Sequence, residues 1–171
     1  DNIYAAPVLV EYIRKELYTE NTIFVSPDAG GVERVRAFAK KCNNSDMAMI
    51  DKRRTGKNQA KAMNVIGSVA GKECIIIDDM IDTAGTLCKA ADILMEKGAK
   101  SVRAMATHGV LSGKAYENIE NSSLTEVVVC DTIPLKKTSP KIKVLSVAEL
   151  FATAIRNMYE HKSITSLFLN N

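Results

Sequence analysis

The chain has 171 residues, 46% of them hydrophobic and 25% charged, with a formal net charge of +3, values typical of a single globular domain with a sizeable core. The absence of Trp and an aromatic content of 5% argue against a nucleic-acid partner held by base stacking. No apolar run approaches the roughly 20 residues that cross a bilayer, and no signal-peptide pattern is present, so we expect no membrane partner and a cytoplasmic location.

Short apolar runs alternate with stretches of helical periodicity along the chain. A helix, PVLVEYIRKEL, is predicted within the first twenty residues, followed by a buried strand over residues 22–27. Gly30 and Gly31 then open a predicted helix over about 31–41. A second strand is predicted over residues 46–52.

The same alternation continues in the rest of the chain. Residues 73–78, ECIIID, are apolar on both faces, as expected of a central strand in a parallel sheet. A helix begins near residues 83–85 and ends at Gly98. The remaining predicted elements are strands over 101–108, 126–132 and 142–147 and a helix over about 147–160.

Strands that alternate with helices predict an α/β fold of the doubly wound type. We expect three layers, α/β/α, with a mainly parallel sheet, and residues 1–171 as one domain. The four cysteines, Cys42, Cys74, Cys88 and Cys130, make no CxxC pair, and three of them lie in or beside apolar runs. This pattern predicts reduced thiols that serve as small apolar side chains in a cytosolic protein.

A basic segment runs from Lys52 to Lys72, where the sequence carries six lysines and arginines and no acidic residue. Such a segment is commonly a solvated surface, and it also suits the binding of a polyanion. We predict that residues 52–72 form a basic flexible loop.

The stretch CIIIDDMIDTAGTL, residues 74–87, places acids at the end of a predicted strand and small residues at the start of a helix. In an open parallel sheet, ligands bind beyond the carboxyl ends of the strands. Unpaired amides at a helix N-terminus can bind a phosphate, and small residues allow it to approach closely. Asp78 and Asp79 would then face sugar hydroxyls or Mg²⁺. The pattern predicts a phosphorylated-sugar pocket.

A purely structural interpretation of this stretch is also available. Asp82 or Thr83 could cap the helix, and acids could simply end the strand. That interpretation accounts for one acid, whereas the stretch contains three acids and a T-A-G-T sequence. We therefore favour the binding interpretation.

The stretch resembles the phosphoribosyl-diphosphate-binding motif shared by type I phosphoribosyltransferases and ribose-phosphate pyrophosphokinases, which usually have Gly or Ser where Ala84 stands. VSPDAGG (25–31) and DKRR (51–54) resemble the pyrophosphokinases and not the base-transferring enzymes. DNIYAAPVL, THGVLSG, VVVCDTIPL and SITSLF fit the same family. The resemblance covers essentially the whole chain, and it corresponds to the C-terminal half of such an enzyme.

The resemblance implies transfer of a diphosphoryl group from ATP to the C1 hydroxyl of ribose 5-phosphate, with Mg²⁺ as cofactor. It implies that Lys52 and Arg54 are catalytic and that Asp28 is a ligand of the metal ion. The implied sugar-phosphate residues are Arg54, Asp78, Asp79, Asp82, Thr83, Ala84, Gly85 and Thr86. Without the N-terminal half, we expect the 171 residues alone to be inactive.

The resemblance further implies a homo-oligomer, a hexamer, with a regulatory site near the C-terminus in which Ser163 and Thr165 would take part. Two other functions remain open on the sequence. A phosphoribosyltransferase would use the same pocket, although no base-recognising segment is found. A non-catalytic regulatory paralogue would need the sugar site but not Asp28, Lys52 and Arg54.

Overall fold

The computed structural model describes residues 2–53 and 62–167, except for the side chains of residues 52, 53, 62 and 166. Within these ranges the strands are β1 (Thr22–Ser26), β2 (Met47–Arg53), β3 (Ala62–Ile66), β4 (Glu73–Ile81), β5 (Ser101–Gly109), β6 (Glu126–Cys130) and β7 (Ile142–Leu145). They form one sheet in the order β3-β2-β1-β4-β5-β6-β7. All neighbouring strands are parallel except β2 and β3.

The described helices are α1 (Ala6–Tyr12), α2 (Val32–Lys41), α3 (Gly85–Glu96), α4 (Ala115–Glu120) and α5 (Ala148–Tyr159). A π-helical segment, Ile13–Leu17, continues α1, and short 3-10 turns cover Ala29–Gly31 and Thr165–Leu167. Within the described ranges, no helix is both long enough and apolar enough to cross a membrane.

Strand β4 shows how the sheet separates two apolar layers. Cys74 and Ile76 face a core that includes residues of α3 and α4, whereas Ile75 and Ile77 face a core that includes residues of α1 and α2. Successive side chains of a strand point to opposite faces, so an unbroken apolar run is what a strand covered on both sides requires. The predicted three-layer α/β fold is confirmed.

The four cysteines are all buried, and none takes part in a disulfide. Burial raises the pKa of the Cys74 thiol to about 12 and that of Cys130 to about 11. Thiols of this kind are poor nucleophiles. The prediction that the cysteines act as small apolar side chains is confirmed.

The prediction of a flexible loop over residues 52–72 is wrong where the structure describes that segment as strand. Residues 52–53 belong to β2, and Ala62–Ile66 forms β3, which pairs with β2 in antiparallel register. Met63 and Val65 pack on the core and alternate with Asn64, the period of two that a half-buried strand shows. Residues 54–61, including Arg54, lie outside the described residues.

Strand β4 is longer than predicted and ends at Ile81. Asp78 is paired in register with Ala106 of β5, and Met80 is paired with His108. Asp78 and Asp79 therefore lie within the strand and not at its end. Helix α4 was not predicted, and its burial of Tyr116 and Ile119 places it against the same layer as α3.

Candidate functional site

The carboxyl ends of the parallel strands lie along one edge of the sheet. Asp28 follows β1, Lys52 is near the end of β2, and residues 78–86 cover the end of β4 and the start of α3. The chain passes from β1 outward to β2 and then returns to β4 on the other side of β1. This reversal is where open α/β sheets commonly bind ligands, and Asp28 and Asp78 flank it.

The loop between β4 and α3 leaves several amides available to a ligand. The amide of Cys88 donates to the carbonyl of Ala84 at 2.9 Å, which begins the regular hydrogen bonding of α3. Among the described hydrogen bonds, none uses the amides of residues 83–87 as donors. A cavity of about 180 Å³ lies beside the loop. It is lined by Asp78, Met80, Ile81, Asp82, Thr83, Ala84, Thr86 and Leu87.

Ala84 has a left-handed backbone, with φ of 60°. This conformation is unfavourable for a residue with a Cβ atom, by about 1–2 kcal/mol. It turns the chain from the strand into α3 while the Ala84 side chain stays buried at 6% exposure. Glycine, one of the two residues usual at this position in the motif that the stretch resembles, would adopt this conformation without that cost.

Two consecutive carboxylates of β4 share one guanidinium. Arg34 of α2 donates through Nη1 to Oδ1 of Asp78 at 3.1 Å and through Nη2 to Oδ2 of Asp79 at 2.9 Å. The amide of Asp79 also donates to Oδ1 of Asp78 at 2.8 Å. The Asp78 carboxylate is therefore turned back toward its neighbour, and both acids are reached from α2.

The two acids differ in their proton affinity. Burial raises the pKa of Asp78, and the neighbouring Asp79 carboxylate adds to the rise. Burial acts in the same direction on Asp79, but its hydrogen bond with Asp78 and the charge of Arg34 outweigh it, so the pKa of Asp79 is lowered. As the pH falls, Asp78 is the member of the pair that takes up a proton first.

Asp28 holds the tight turn that follows β1. Its Oδ1 accepts from the amide of Gly31 at 3.1 Å, and its carbonyl accepts from the Ser26 hydroxyl at 2.6 Å. A Cβ atom on Gly31 would lie 2.8 Å from the Ser26 Oγ, so a side chain here would displace the hydroxyl that donates to the Asp28 carbonyl. Asp28 therefore caps this turn, and the metal-binding role that the resemblance implies stays a prediction.

A family model named phosphoribosyl synthetase-associated domain matches residues 40–169. The chain belongs to this family. It is 52% identical over 171 residues to the ribose-phosphate pyrophosphokinase of Pasteurella multocida, covering 98% of this chain and 54% of that protein. It is also 52% identical, over 173 residues, to the enzyme of that name from Xanthomonas campestris, with coverage of 99% and 54%.

Solved structures agree with this placement in the phosphoribosyl synthetase-associated family. The phosphoribosylpyrophosphate synthetase of Mycobacterium smegmatis aligns with a TM-score of 0.85 at 38% identity, over 92% of this chain and 51% of that one. A purine phosphoribosyltransferase from Pyrococcus horikoshii aligns with a TM-score of 0.52 at 16% identity, over 83% and 79% of the two chains, which shows a shared fold only. The chain spans about half the length of the curated relatives it matches.

Most of the residues predicted to bind the sugar phosphate line one or both of two cavities. Asp78 and Asp82 to Ala84 line one cavity with Thr86, and Asp79 lines a neighbouring cavity of about 600 Å³ that Asp78 shares. The backbone of Lys52 lies in β2, whereas Arg54 lies outside the described residues. Gly85 begins α3.

The candidate regulatory residues, Ser163 and Thr165, are not among the residues that line the two cavities described above. The Ser163 hydroxyl donates to the Thr165 Oγ1 at 2.8 Å and accepts from the Thr165 amide at 3.1 Å. These contacts define a local turn after α5. The regulatory role of the two hydroxyls stays a prediction.

Three contributors to the site were missed on the sequence. They are Arg34, which donates to Asp78 and Asp79, and Ser112 and Asn118, which donate to residues of the loop. His108 lines the larger cavity, and its Nδ1 lies 2.9 Å from the Thr132 Oγ1. Ser112 and His108 lie in THGVLSG (107–113), a stretch noted on the sequence only for its resemblance, whereas Arg34 and Asn118 lie outside every stretch that was singled out.

Proposed function

We propose that the protein to which this chain belongs is a ribose-phosphate diphosphokinase. The C1 hydroxyl oxygen of ribose 5-phosphate attacks the β-phosphorus of ATP, the bond to the α-phosphate oxygen breaks, and the hydroxyl proton is lost. The products are 5-phosphoribosyl 1-diphosphate and AMP. The observation that carries the proposal is the direct succession, along β4 and α3, of an acid pair and a loop with available amides, in a chain 52% identical to named pyrophosphokinases.

The acid pair and the loop bind different parts of the sugar phosphate. The carboxylates of Asp78 and Asp79 accept hydrogen bonds from the ribose hydroxyls, because an ionised carboxylate only accepts and a hydroxyl can donate. The amides of the loop and the hydroxyls of Thr83 and Thr86 donate to the 5-phosphate. Thr83 and Thr86 are exposed, so these hydroxyls are accessible to a phosphate that enters from solvent.

Lys52 and Arg54 supply positive charge to the group that is transferred. Diphosphoryl transfer depends chiefly on alignment and on neutralising charge at the transferred oxygens. Strand β2 lies next to β1 and parallel to it, which brings the backbone of Lys52 to the same edge as Asp28. Arg54, two residues further along the chain, would add a planar donor to the same region or to the sugar phosphate.

The metal proposed for the reaction is Mg²⁺, with Asp28 as its ligand from this chain. In the described residues, no group of three or more His, Cys, Asp or Glu side chains is arranged to hold a metal ion. A single carboxylate from this chain fits Mg²⁺, because this ion usually keeps several waters and is held by one or two carboxylates together with substrate phosphates. When bound, it would neutralise charge on the phosphates of ATP.

We also propose that the protein is a cytoplasmic homo-oligomer, a hexamer, that binds ATP and ribose 5-phosphate. Helix α5 leaves Phe151, Ile155 and Met158 exposed at 46%, 64% and 63%. Their spacing of three and four places them on one helix face. Contiguous apolar surface of this kind commonly marks a protein interface, which supports an assembly.

The test is the reaction itself, carried out with the full-length protein, ATP, Mg²⁺ and ribose 5-phosphate. We expect AMP and 5-phosphoribosyl 1-diphosphate in equal amounts, and no product when ribose replaces ribose 5-phosphate. Binding of ribose 5-phosphate without turnover would favour the regulatory paralogue. Diphosphate release that requires a free base together with 5-phosphoribosyl 1-diphosphate would favour a phosphoribosyltransferase. Either result would contradict the proposed function.

A further inference from the structure

The loop that follows β4 is held from outside by the segment 111–118. The amide of Leu111 donates to the carbonyl of Ile81 at 3.1 Å, and the amide of Ser112 donates to that of Asp82 at 3.2 Å. The Ser112 hydroxyl donates to the Asp82 carboxylate. These bonds continue the contact between the two chain segments beyond the last paired residues of β4 and β5, and they fix residues 81–82.

Asn118 of α4 holds the next residue of the loop, Thr83. Its side-chain nitrogen donates to the carbonyl of Thr83 at 2.9 Å. Thr83 is followed by Ala84, whose left-handed backbone is unfavourable. A peptide plane that is anchored at Thr83 restricts the rotation by which Ala84 would relax to a negative φ.

Helix α4 does not need this bond for its own position. Tyr116 and Ile119 are buried on the core. The Lys141 ammonium donates to the carbonyls of Ile119 at 3.3 Å and Ser122 at 2.8 Å, at the C-terminal end of the helix. Asn118 is half-buried, and it is not among the residues that α4 buries in the core. Its contact with Thr83 therefore concerns the loop more than the helix.

We propose that Asn118 is a positioning residue for the phosphate-binding loop, acting through the Thr83 carbonyl to hold Ala84 in its left-handed conformation. In that conformation the amides of residues 83–87 stay unpaired among the described hydrogen bonds, and Thr83, Ala84, Thr86 and Leu87 line the cavity beside the loop. The inference rests on the proposed function, because it takes the ligand of these amides to be the phosphate of the sugar substrate.

The first test compares steady-state constants of the full-length protein and its variants. In Asn118→Ala, KM for ribose 5-phosphate should rise about 3- to 10-fold, the range expected for loss of one neutral hydrogen bond, while KM for ATP stays unchanged. Asn118→Leu, which keeps the side-chain volume without the donor, should behave alike. Asn121→Ala is the matched control, since Asn121 is exposed just beyond α4 and should leave both constants unchanged.

The second test is a cycle with Ala84→Gly, because glycine adopts positive φ without cost. If Asn118 acts by restraining Ala84, the Asn118→Ala effect on KM for ribose 5-phosphate should shrink to less than about 2-fold in a protein that already carries Ala84→Gly. A residue that merely stabilises α4 would give the same ratio in both backgrounds, and its loss would lower the melting temperature. That result would overturn the inference.

The outcomes separate this inference from the function on which it depends. If the wild-type protein shows no saturable binding of ribose 5-phosphate by calorimetry, the proposed function fails and the inference fails with it. If the wild type binds and turns over the sugar phosphate, but Asn118→Ala and Asn118→Leu keep its KM, only the role of Asn118 is contradicted.

Discussion

Nη1 of Arg34 lies 3.1 Å from Oδ1 of Asp78, and this contact joins the helix after β1 to the strand that carries the candidate sugar-binding acids. Arg34 is 35% exposed and Asp78 33% exposed, so the pair is only partly shielded from water. Ion pairs of this kind contribute little to stability, about 1 kcal/mol or less. The contact therefore matters chiefly because a planar guanidinium fixes the direction of two carboxylates at once.

Replacing Arg34 should weaken sugar binding more than it weakens the fold. In Arg34→Gln of the full-length protein, we expect KM for ribose 5-phosphate to rise by about 10-fold, since two charge-assisted hydrogen bonds that orient the acids are lost. Arg34→Lys should recover only part of the loss, because an ammonium lacks the planar fork. Arg36→Gln is the control, since Arg36 lies on the same helix and contacts only Glu33 among the described ion pairs. Equal effects of Arg34→Gln and Arg36→Gln would contradict this role.

Asp78→Asn should stabilise the fold near neutral pH while it impairs function. Because burial raises the folded-state pKa of Asp78, its ionisation disfavours folding, and the native state is more stable with this carboxyl protonated. The advantage of Asn over Asp should be present at about pH 8 and should vanish as the pH falls below the ordinary carboxyl pKa of about 4. We expect a rise in melting temperature of no more than about 4 °C.

Thermal unfolding of the wild type and Asp78→Asn across this pH range measures the effect. Asp131→Asn is the contrasting variant, because the hydroxyl of Ser146 and the amide of Val147 lower the pKa of Asp131. For a lowered pKa the sign is reversed, and ionised Asp131 favours folding, so its loss should destabilise the protein at neutral pH. A destabilising Asp78→Asn at pH 8 would show that the contact with Arg34 outweighs burial.

Lys52→Ala should reduce kcat of the full-length protein by about 100-fold or more, with little change in the affinity for ribose 5-phosphate. A charge that contacts the transferred group in the transition state contributes to kcat and not to ground-state binding. Lys97→Ala is a suitable control, since Lys97 is exposed at the end of α3. Single-turnover AMP formation and calorimetric binding of the sugar phosphate measure the two quantities separately. A Lys52→Ala variant with normal kcat would remove Lys52 from the mechanism.

The sequence predicted the central strands because their apolar runs report burial on both faces. Strand β3 was missed, because its five residues lie within the segment 52–72, whose basic charge indicated a loop. The extension of β4 beyond Asp78 to Ile81 was also missed, since two acids look like the end of an apolar strand. Pairing with β5 continues to Gly109 and holds those acids within the ladder.

The phosphate-binding loop was predictable because its residues are consecutive in the chain. Its supports were not, because they come from tertiary contacts between distant positions. Arg34 lies 44 residues from Asp78, Ser112 lies 30 from Asp82, and Asn118 lies 35 from Thr83. No local period or composition reports such contacts, and each of these side chains would be an ordinary surface residue on its own element.

Ala84→Gly should stabilise the fold, which is unusual for a glycine introduced beside a helix. Glycine removes the cost of about 1–2 kcal/mol that a left-handed backbone imposes on alanine, and it loses about 0.5–1 kcal/mol through the greater freedom of the unfolded chain. Chemical denaturation should therefore show a gain of about 1 kcal/mol in the free energy of unfolding. Ala90→Gly, inside α3 and 1% exposed, provides the contrast and should lose about 1 kcal/mol or more. If both glycines lowered the free energy of unfolding alike, Ala84 would not be left-handed in solution, and the conformation on which the loop geometry depends would be contradicted.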